Sequence, residues 1–363
     1  MEKINQLKKV LKQEKIDGYL IPKNDEFFGE YTPEYNDRLN FISGFNGSYG
    51  FALVLKDKNY LFVDGRYTLQ ADNQSGKLFK IITIPNKMPS DIFKGKKLLI
   101  GFDPNLFTDK SLFIFFGKDK FKFKPIFKNL IDKIWRRKIG INRNKFYLLP
   151  NKAVSEKYNF KINKICRYLK KKKSDFLFVT ASENNAWLLN IRGRDTKYTP
   201  IPHSYILIDK EKNIKFFCDL KKISLSLRRT FKKIKFLDIK DCANTLLGIE
   251  KKKFIIDSNS CSIFFKNIID KNNKILSSQD PIYIFKAIKG KQEIENIKKA
   301  HIYDGIALTK FLFWLKKNFL KKNITEITAS NKLLEFRKKN KKFKFLSFPT
   351  ISGTGPNGAI IHY

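Results

Sequence analysis

The chain has 363 residues, of which 42% are hydrophobic, so it can form two or three domains that each bury an ordinary core. Its 74 Lys and Arg residues against 34 Asp and Glu give a formal net charge of +40, which on its own would suit a nucleic-acid partner. Lys is spread along the whole chain and is accompanied by abundant Ile, Asn and Phe, all of which have A/T-rich codons. We therefore attribute the charge to drift in the base composition of the genome and expect no specific nucleic-acid partner. Only weak, salt-sensitive adhesion to polyanions is expected from the charge.

The N-terminus is charged throughout and lacks the apolar segment of a signal peptide. Ile4, Leu7, Val10 and Leu11 recur at helical spacing among polar residues, which predicts an amphipathic helix over 3–12. No apolar run in the chain reaches the ~18 residues that a membrane span needs. We therefore expect a cytoplasmic protein with no membrane partner.

Four short apolar runs predict strands over 19–21, 51–55, 60–63 and 98–102. The second and third runs are separated by four polar residues that suit a hairpin turn. Strands that follow a helix in this way are α/β in character.

The second half of the chain repeats this pattern, with a helix predicted over 156–171 and strands over 175–179, 205–208 and 214–217. In the first copy, Asp17 lies at the start of the first strand and Asp64 directly follows the hairpin. Asp175 and Asp219 occupy the equivalent positions in the second copy. We interpret the pattern as a diverged duplication of one domain. Two unrelated small α/β domains are the alternative.

All four cysteines lie beyond residue 165, at Cys166, Cys218, Cys242 and Cys261. No two of them form a C-x-x-C pair, so their spacing indicates neither a disulfide framework nor a zinc site. We expect them to be small buried residues.

The region after Asp280 changes character. A long amphipathic helix is predicted over 293–318, and a second helix over 326–337 has Thr325 as its N-cap. The last stretch, 345–363, is rich in Ser, Thr, Gly and apolar residues, which predicts strands and tight turns.

Ten strings in this order resemble the larger, three-domain cytosolic type of aminopeptidase P, an Xaa-Pro aminopeptidase. They are PKNDE at 22–26, EY at 30–31, RL at 38–39, SGFNGS at 43–48, DGRY at 64–67, NLIDKIW at 129–135, AWLLNIRG at 186–193, KAIK at 286–289, His301 with Asp304, and SFPTISGTGPNGAIIHY at 347–363. Each string alone is weak evidence for the family, but together the strings cover the chain from end to end in the order found in the family.

The resemblance implies an α/β fold of two related creatinase N-terminal-like domains, over 1–140 and 141–283. It implies that 284–363 is the incomplete start, with long helices and first strands, of an α+β pita-bread metallopeptidase domain. Members of this family release the N-terminal residue from peptides whose second residue is proline. The peptide is therefore the expected partner of the complete enzyme, and a homodimer is possible.

Family members use two divalent metal ions, usually manganese, held by two Asp, one His and two Glu. Several carboxylates are needed to offset two dications. In the family, all five ligands follow the segment that matches 358–363. The resemblance therefore implies no metal ligand in this chain, and we expect it to bind no metal and to be inactive alone.

The three histidines are His203, His301 and His362. His301 and Asp304 share a helix face, and a surface or packing pair is favoured over a partial metal pair. His203 follows Pro202 at a strand entrance, where a turn or surface residue is favoured.

Two residues match substrate contacts of the family. His362 matches an active-site histidine beside the metals that interacts with the peptide group of the substrate, a task suited to neutral imidazole. Arg66 matches an arginine of the first domain that reaches the peptide, and a guanidinium offers a fixed fork of donors. Without the resemblance, Arg66 would be a surface residue at a helix start. Asp64 and Gly65 are expected to set the turn that aims it.

Three functions follow in order of preference. The first is the N-terminal fragment of an Xaa-Pro aminopeptidase, which cleaves nothing by itself. The second is a non-catalytic dimerisation or peptide-binding module. The third, a basic nucleic-acid binder, is ranked last because the positive charge is not concentrated.

Overall fold

In the computed structural model, which describes residues 1–95, 97–117, 121–137, 142, 144–321 and 323–359, the first domain is a six-stranded mixed sheet. Its strands are β1 (Gly18–Pro22), β2 (Phe51–Leu55), β3 (Asn59–Asp64), β4 (Lys80–Ile84), β5 (Leu99–Phe102) and β6 (Lys122–Pro125). Its helices are α1 (Glu2–Gln13), α2 (Arg38–Ser43), α3 (Thr68–Ser75), α4 (Pro89–Ile92), α5 (Asp109–Phe116) and α6 (Leu130–Ile134). The strand order is β4-β3-β2-β1-β5-β6; the β1-β2 and β2-β3 pairs are antiparallel, and the other pairs are parallel.

Both faces of this sheet are buried at its centre, which explains why the inner strands β1, β2, β3 and β5 are continuous apolar runs rather than alternating ones. Along β1, Tyr19 and Ile21 join one hydrophobic cluster while Leu20 joins the cluster on the opposite face. Helix α1 covers the first face with Leu7 and Leu11, both fully buried. Its apolar stripe thus has the role that its helical spacing predicts.

The second domain has its own six-stranded sheet and a small two-stranded one. Its strands are β7 (Tyr147–Leu148), β8 (Phe176–Val179), β9 (Ile191–Arg192), β10 (Tyr205–Asp209), β11 (Ile214–Cys218), β12 (Ile234–Asp238), β13 (Lys253–Ile256) and β14 (Lys274–Ser277). Its helices are α7 (Tyr158–Lys171), α8 (Ser182–Leu189), α9 (Leu225–Thr230), α10 (Cys242–Leu247), α11 (Ile263–Asp270) and α12 (Pro281–Ala287). The large sheet has the order β12-β11-β10-β8-β13-β14, and β7 pairs with β9.

The two large sheets have the same topology. Pairs β8-β10 and β10-β11 are antiparallel, and β11-β12, β8-β13 and β13-β14 are parallel, which matches the first sheet strand for strand. The shared order supports the duplication inferred from the sequence. Every strand predicted in the first two domains is present, whereas the outer strands β4, β6, β12 and β14 and the inner strand β13 of the large sheets were not predicted.

Asp17 and Asp175 have the same structural role in the two copies. Asp17 accepts hydrogen bonds from the first N–H of β5 at 2.9 Å and from the lysine after β2 at 2.8 Å. Asp175 accepts them from the first N–H of β13 at 3.0 Å and from Lys210, the residue after β10, at 2.9 Å. These bonds lower the pKa of both carboxyls, chiefly through the β5 N–H for Asp17 and through Lys210 for Asp175.

A second shared feature is an Asp that follows the strand beside β1 or β8. Asp103 Oδ1 and Asp257 Oδ1 each accept bonds from the backbone N–H and the side-chain amide of the Asn two residues later. The second oxygen of each Asp accepts a bond from the N-cap residue of a later helix. Asn129 Nδ2, at the N-cap of α6, donates to Asp103 at 2.9 Å, and the N–H of Asp280, the N-cap of α12, donates to Asp257 at 2.9 Å. The strings DPN and DSN are the sequence signal that could have revealed this corner.

The third region consists of helix α13 (Lys291–Asn318), helix α14 (Glu326–Lys338) and an irregular tail. Both helices were predicted, and Thr325 is the N-cap of α14, since its hydroxyl accepts a bond from the Thr328 N–H. Short 3-10 turns occur at Glu34–Asn36, Asn151–Ala153, Leu220–Lys222, Ile239–Asp241 and Gly355–Ala359. The start of α13 is tied to the second domain by Asn296, whose Nδ2 donates to the Lys152 carbonyl at 2.8 Å.

The prediction of strands in the tail is wrong for the part of the tail that the structure describes, 345–359. Residues 345–354 have no regular secondary structure, and Asn357 and Gly358 lie in a 3-10 turn. A strand needs a neighbour for its backbone groups. The described tail instead uses a side chain: Glu326 accepts bonds from the Thr354 N–H at 2.6 Å and from Asn357 Nδ2 at 3.2 Å.

Candidate substrate site in the first domain

Arg66 lies in the turn between β3 and α3, at the edge of the first domain. Asp64, the last residue of β3, accepts a bond from the Arg66 backbone N–H at 2.9 Å. The same carboxylate accepts from Arg66 Nε at 3.1 Å and from Nη2 at 2.7 Å, and these bonds are the main reason that the pKa of Arg66 is raised. Asp64 therefore fixes both the turn and the plane of the guanidinium, as predicted.

The rest of the Arg66 setting is aromatic. The guanidinium carbon lies 5.2 Å from the centre of the Tyr67 ring, which is fully buried, and the Tyr67 hydroxyl is 2.6 Å from Ser48 Oγ. Arg66 keeps a side-chain exposure of 44%. The guanidinium is thus oriented by Asp64 and still accessible to solvent, so it could donate hydrogen bonds to a carbonyl or a carboxylate.

A loop of the second domain reaches the same edge of the first domain. Tyr198 lies 5.2 Å, ring centre to ring centre, from Tyr31, and Lys197 Nζ is 2.6 Å from a carboxylate oxygen of Glu34. Burial is the main cause of a raised pKa at Tyr31, and the neighbouring Glu30 adds to it. No sequence pattern predicts this contact, because the two tyrosines are far apart in the chain.

The two domains are also joined by backbone hydrogen bonds, which fixes the position of the Arg66 edge relative to the second sheet. The Ile263 N–H donates to the Phe107 carbonyl at 2.9 Å, and the Phe264 N–H donates to the Pro104 carbonyl at 3.0 Å. The Tyr205 hydroxyl donates to the Glu26 carbonyl at 3.1 Å. Ile263 is itself part of a hydrophobic cluster of the first domain.

His203 is not the turn or surface residue that the sequence favoured. It lies in the interface between the domains, where its ring stacks on Phe27 at 4.0 Å and 14° between planes. Burial lowers its pKa to about 4, and its Nε2 is buried without a hydrogen-bond partner among the described residues. The prediction failed because Phe27 belongs to the other domain.

The described residues do not fit a dinuclear metal centre. His301 and Asp304 are both exposed, and Asp304 is taken up by Arg337, whose Nε and Nη2 donate to it at 2.7 and 3.0 Å. Within 1–95, 97–117, 121–137, 142, 144–321 and 323–359, no group of three or more His, Cys, Asp or Glu could hold a metal ion. The surface-pair interpretation of His301 and Asp304 is the one that this geometry favours.

His362 lies outside the described residues, so the structure does not show it beside Arg66.

The four cysteines are free and buried, as predicted, and burial is the main cause of the raised pKa of each thiol. In the part of the chain that is described, no helix is both long and apolar enough to cross a bilayer.

Comparisons with known proteins agree along the whole chain. The Creatinase/Prolidase N-terminal domain family matches residues 3–111 and again 140–293, and the metallopeptidase family M24 matches residues 295–363. A probable Xaa-Pro aminopeptidase P of Laccaria bicolor is 32% identical over 379 residues, which cover 100% of this chain and 59% of that protein. Xaa-Pro aminopeptidase 1 of Dictyostelium discoideum is 32% identical over 395 residues, covering 100% of this chain and 61% of that protein.

The fold has the same relatives. The crystal structure of an X-prolyl aminopeptidase from Caenorhabditis elegans, described as a cytosolic enzyme with a di-nuclear active site, matches with a TM-score of 0.92 and 27% identity. The match covers 100% of this chain and 63% of that one, so this chain spans about three fifths of the length of its relatives. From its two creatinase-type domains, its M24 segment and these relatives, we conclude that the chain belongs to the Xaa-Pro aminopeptidase family of M24 metallopeptidases.

Proposed function

We propose that this chain is the front part of a metal-dependent Xaa-Pro aminopeptidase, which releases the first residue of peptides that have proline in second place. The observation that carries the proposal is the likeness to aminopeptidases over all of the chain, in both sequence and fold. The proposal includes two divalent manganese ions in the complete enzyme and a location in the cytosol. The C. elegans relative, a cytosolic enzyme with a di-nuclear active site, supports the two ions and the cytosolic location, and manganese rests on the family resemblance alone.

Within that enzyme, Arg66 binds the peptide substrate. Its guanidinium is oriented by Asp64 and is 44% exposed, so it can donate to a peptide carbonyl or terminal carboxylate without moving its partner. The role of His362, as the histidine that contacts the peptide group beside the metals, rests on the family match alone. The domain limits at 140 and 283 are part of the same proposal.

By the same proposal, these 363 residues hydrolyse no peptide by themselves, because the family resemblance places the five ligands after the segment that matches 358–363. The test is to incubate the purified chain and Mn²⁺ with a peptide that begins Arg-Pro, and to quantify free arginine. We expect none. Manganese-dependent release of the first residue would overturn the assignment of the ligands.

Binding of the peptide tests the Arg66 role separately. A proline-second peptide should bind the chain, and Arg66→Gln should weaken binding about tenfold, the scale of one charge-assisted contact. Lys58→Gln, at an exposed position of the hairpin before β3, removes the same charge and serves as control. Equal affinities of the two variants would exclude Arg66 from the peptide site.

A non-catalytic dimerisation or peptide-binding module is the second candidate, and one observation favours it. Helix α13 exposes a run of large apolar side chains, namely Ile294, Ile297, Ile302, Ile306, Leu308, Leu312 and Phe313. Exposed apolar surface of this extent marks an interaction site. Sedimentation of the chain decides: a dimer that Ile306→Glu dissociates supports this candidate, and a monomer refutes dimerisation.

A further inference from the structure

A cavity in the second domain lies away from the Arg66 edge. It has a volume of about 570 Å³ and is formed by one face of α7, by α8 and by the junction of α12 with α13. At the junction, Gly290 packs so closely that a Cβ on it would lie 2.3 Å from Ser155 Cβ. The Glu293 N–H donates to Ser155 Oγ at 3.2 Å, which fixes this end of the cavity. The volume is typical of small-molecule sites.

Basic side chains converge on this cavity. They are Lys161, Lys164, Arg167, Lys171 and Lys289. The first four follow one another at intervals of three or four residues, so they form a row on one face of α7. Among the described residues, no carboxylate lies within ion-pair distance of Arg167, Lys171 or Lys289.

The two acidic residues of the lining neutralise only one member of this row, Lys164, which pairs with Glu156. Glu293 Oε2 accepts the Gly290 N–H at 3.0 Å as part of the α13 N-cap. Glu156 Oε1 accepts from Lys164 Nζ at 2.5 Å. Glu156 Oε2, by contrast, is buried and has no hydrogen-bond partner among the described residues, so it can accept a bond from a ligand hydroxyl or amino group.

Lys161 places one charge beneath the cavity. It is 2% exposed, and its Nζ donates to the Trp187 carbonyl at 2.8 Å and to Asn190 Oδ1 at 2.5 Å. The same Nζ lies 3.9 Å from the centre of the Trp187 ring. Burial lowers its pKa to about 8; the carboxylates of Glu293 and Glu156 oppose that shift, and the positive charges of Arg192 and Lys164 add to it.

Aromatic side chains form the remaining walls, from Tyr168, Trp187 and Phe285. We propose that the cavity binds a nucleoside phosphate, with its phosphates on the basic row of α7, its ring against the aromatic wall, and a hydroxyl or amino group on Glu156 Oε2. Basic and aromatic groups around one cavity favour a small ligand over a long nucleic acid, which would need a continuous stripe. Glu156 favours a nucleoside over a bare polyphosphate, which has no such donor.

The test is calorimetric titration of the 363-residue chain with ATP, tripolyphosphate and adenosine at physiological salt. Arg167→Gln/Lys171→Gln removes two charges from the row, and Lys9→Gln/Lys12→Gln removes two exposed charges from α1 as a matched control. We expect ATP to bind the control like the parent chain and the row variant at least tenfold more weakly. Equal loss in both variants would show non-specific attraction to a basic protein and overturn the proposal.

The nucleoside part has its own test. Glu156→Gln should weaken ATP binding at least threefold and leave tripolyphosphate binding unchanged or tighter, because only the nucleoside donates to Glu156. Tripolyphosphate that binds the parent chain as tightly as ATP would refute the nucleoside. A single-stranded oligonucleotide that displaces ATP and binds more tightly would replace the proposal with a nucleic-acid surface. The melting temperature of each variant checks that it is folded.

Discussion

Asp280 is the N-cap of α12 at the end of the second domain, and it is the buried carboxyl with the clearest consequence for stability. Its Oδ1 accepts the Ile282 N–H at 2.9 Å, and its Oδ2 accepts from Asn184 Nδ2 at 2.7 Å. The residue is 3% exposed. Burial raises its pKa from 3.8 to about 6, and the nearby Asp257 adds to the rise.

The perturbation is Asp280→Asn. The new amide oxygen can keep the N-cap bond to the Ile282 N–H, since Asn and Asp cap equally well. The new amide nitrogen faces Asn184, whose Oδ1 has no hydrogen-bond partner among the described residues. Rotation of the Asn184 amide would present that oxygen as an acceptor. The variant therefore keeps both bonds and removes the buried charge.

The magnitude follows from the pKa. Between pH of about 4 and 6 the folded chain binds more protons than the unfolded chain, so the unfolding free energy falls as the pH rises through this window. A rise in pKa from 3.8 to about 6 corresponds to about 3 kcal/mol at most. Asp280→Asn should thus add about 1–3 kcal/mol at pH 7.5 and almost nothing at pH 4.

The assay is urea unfolding of parent and variant chains at half-unit steps of pH from 4 to 8. Asp219→Asn, at the exposed N-cap of the 3-10 turn Leu220–Lys222, is the control for loss of one negative charge and should change the unfolding free energy by less than about 0.5 kcal/mol. A variant that is less stable than the parent at pH 7.5, or a difference that does not depend on pH, would refute the reasoning.

Four further substitutions test other parts of the fold by urea unfolding. Arg38→Met leaves two carboxylates without the buried guanidinium that binds them at 2.8–3.0 Å and should cost about 3–5 kcal/mol; a loss below about 1 kcal/mol would contradict this. His203→Phe keeps the stack on Phe27 and should stabilise by about 1–3 kcal/mol at pH 5, less at pH 7.5, because the parent loses stability as the pH falls from 6.5 towards about 4; a pH-independent difference would exclude His203 as the cause. Gly193→Ala places a Cβ 2.8 Å from backbone atoms and should cost about 1–3 kcal/mol, whereas Gly305→Ala, in open space on α13, should add about 0.5–1 kcal/mol; equal signs would contradict the packing argument.

Local sequence patterns were sufficient for the long helices and for the inner strands of both sheets, except β13. Residues 51–55 and 60–63 form a hairpin because a polar turn joins two apolar runs, and the apolar spacing of residues 4–11 defines α1. Outer strands such as β6 and β14 were missed because they are short and half-exposed, and each begins with an exposed Lys. Their strand conformation comes from a neighbour that already offers an edge, which is a tertiary property.

For the candidate site, the sequence by itself determined the family and the Asp64–Arg66 turn, since both depend on residues that are adjacent in the chain. Only the tertiary structure decided what lies around Arg66 and where His203 goes. Tyr198 reaches Tyr31, and Phe27 covers His203, because the second domain packs against the first. Contacts between residues so far apart depend on how two finished domains fit together, and no period or turn signal in one segment encodes that fit.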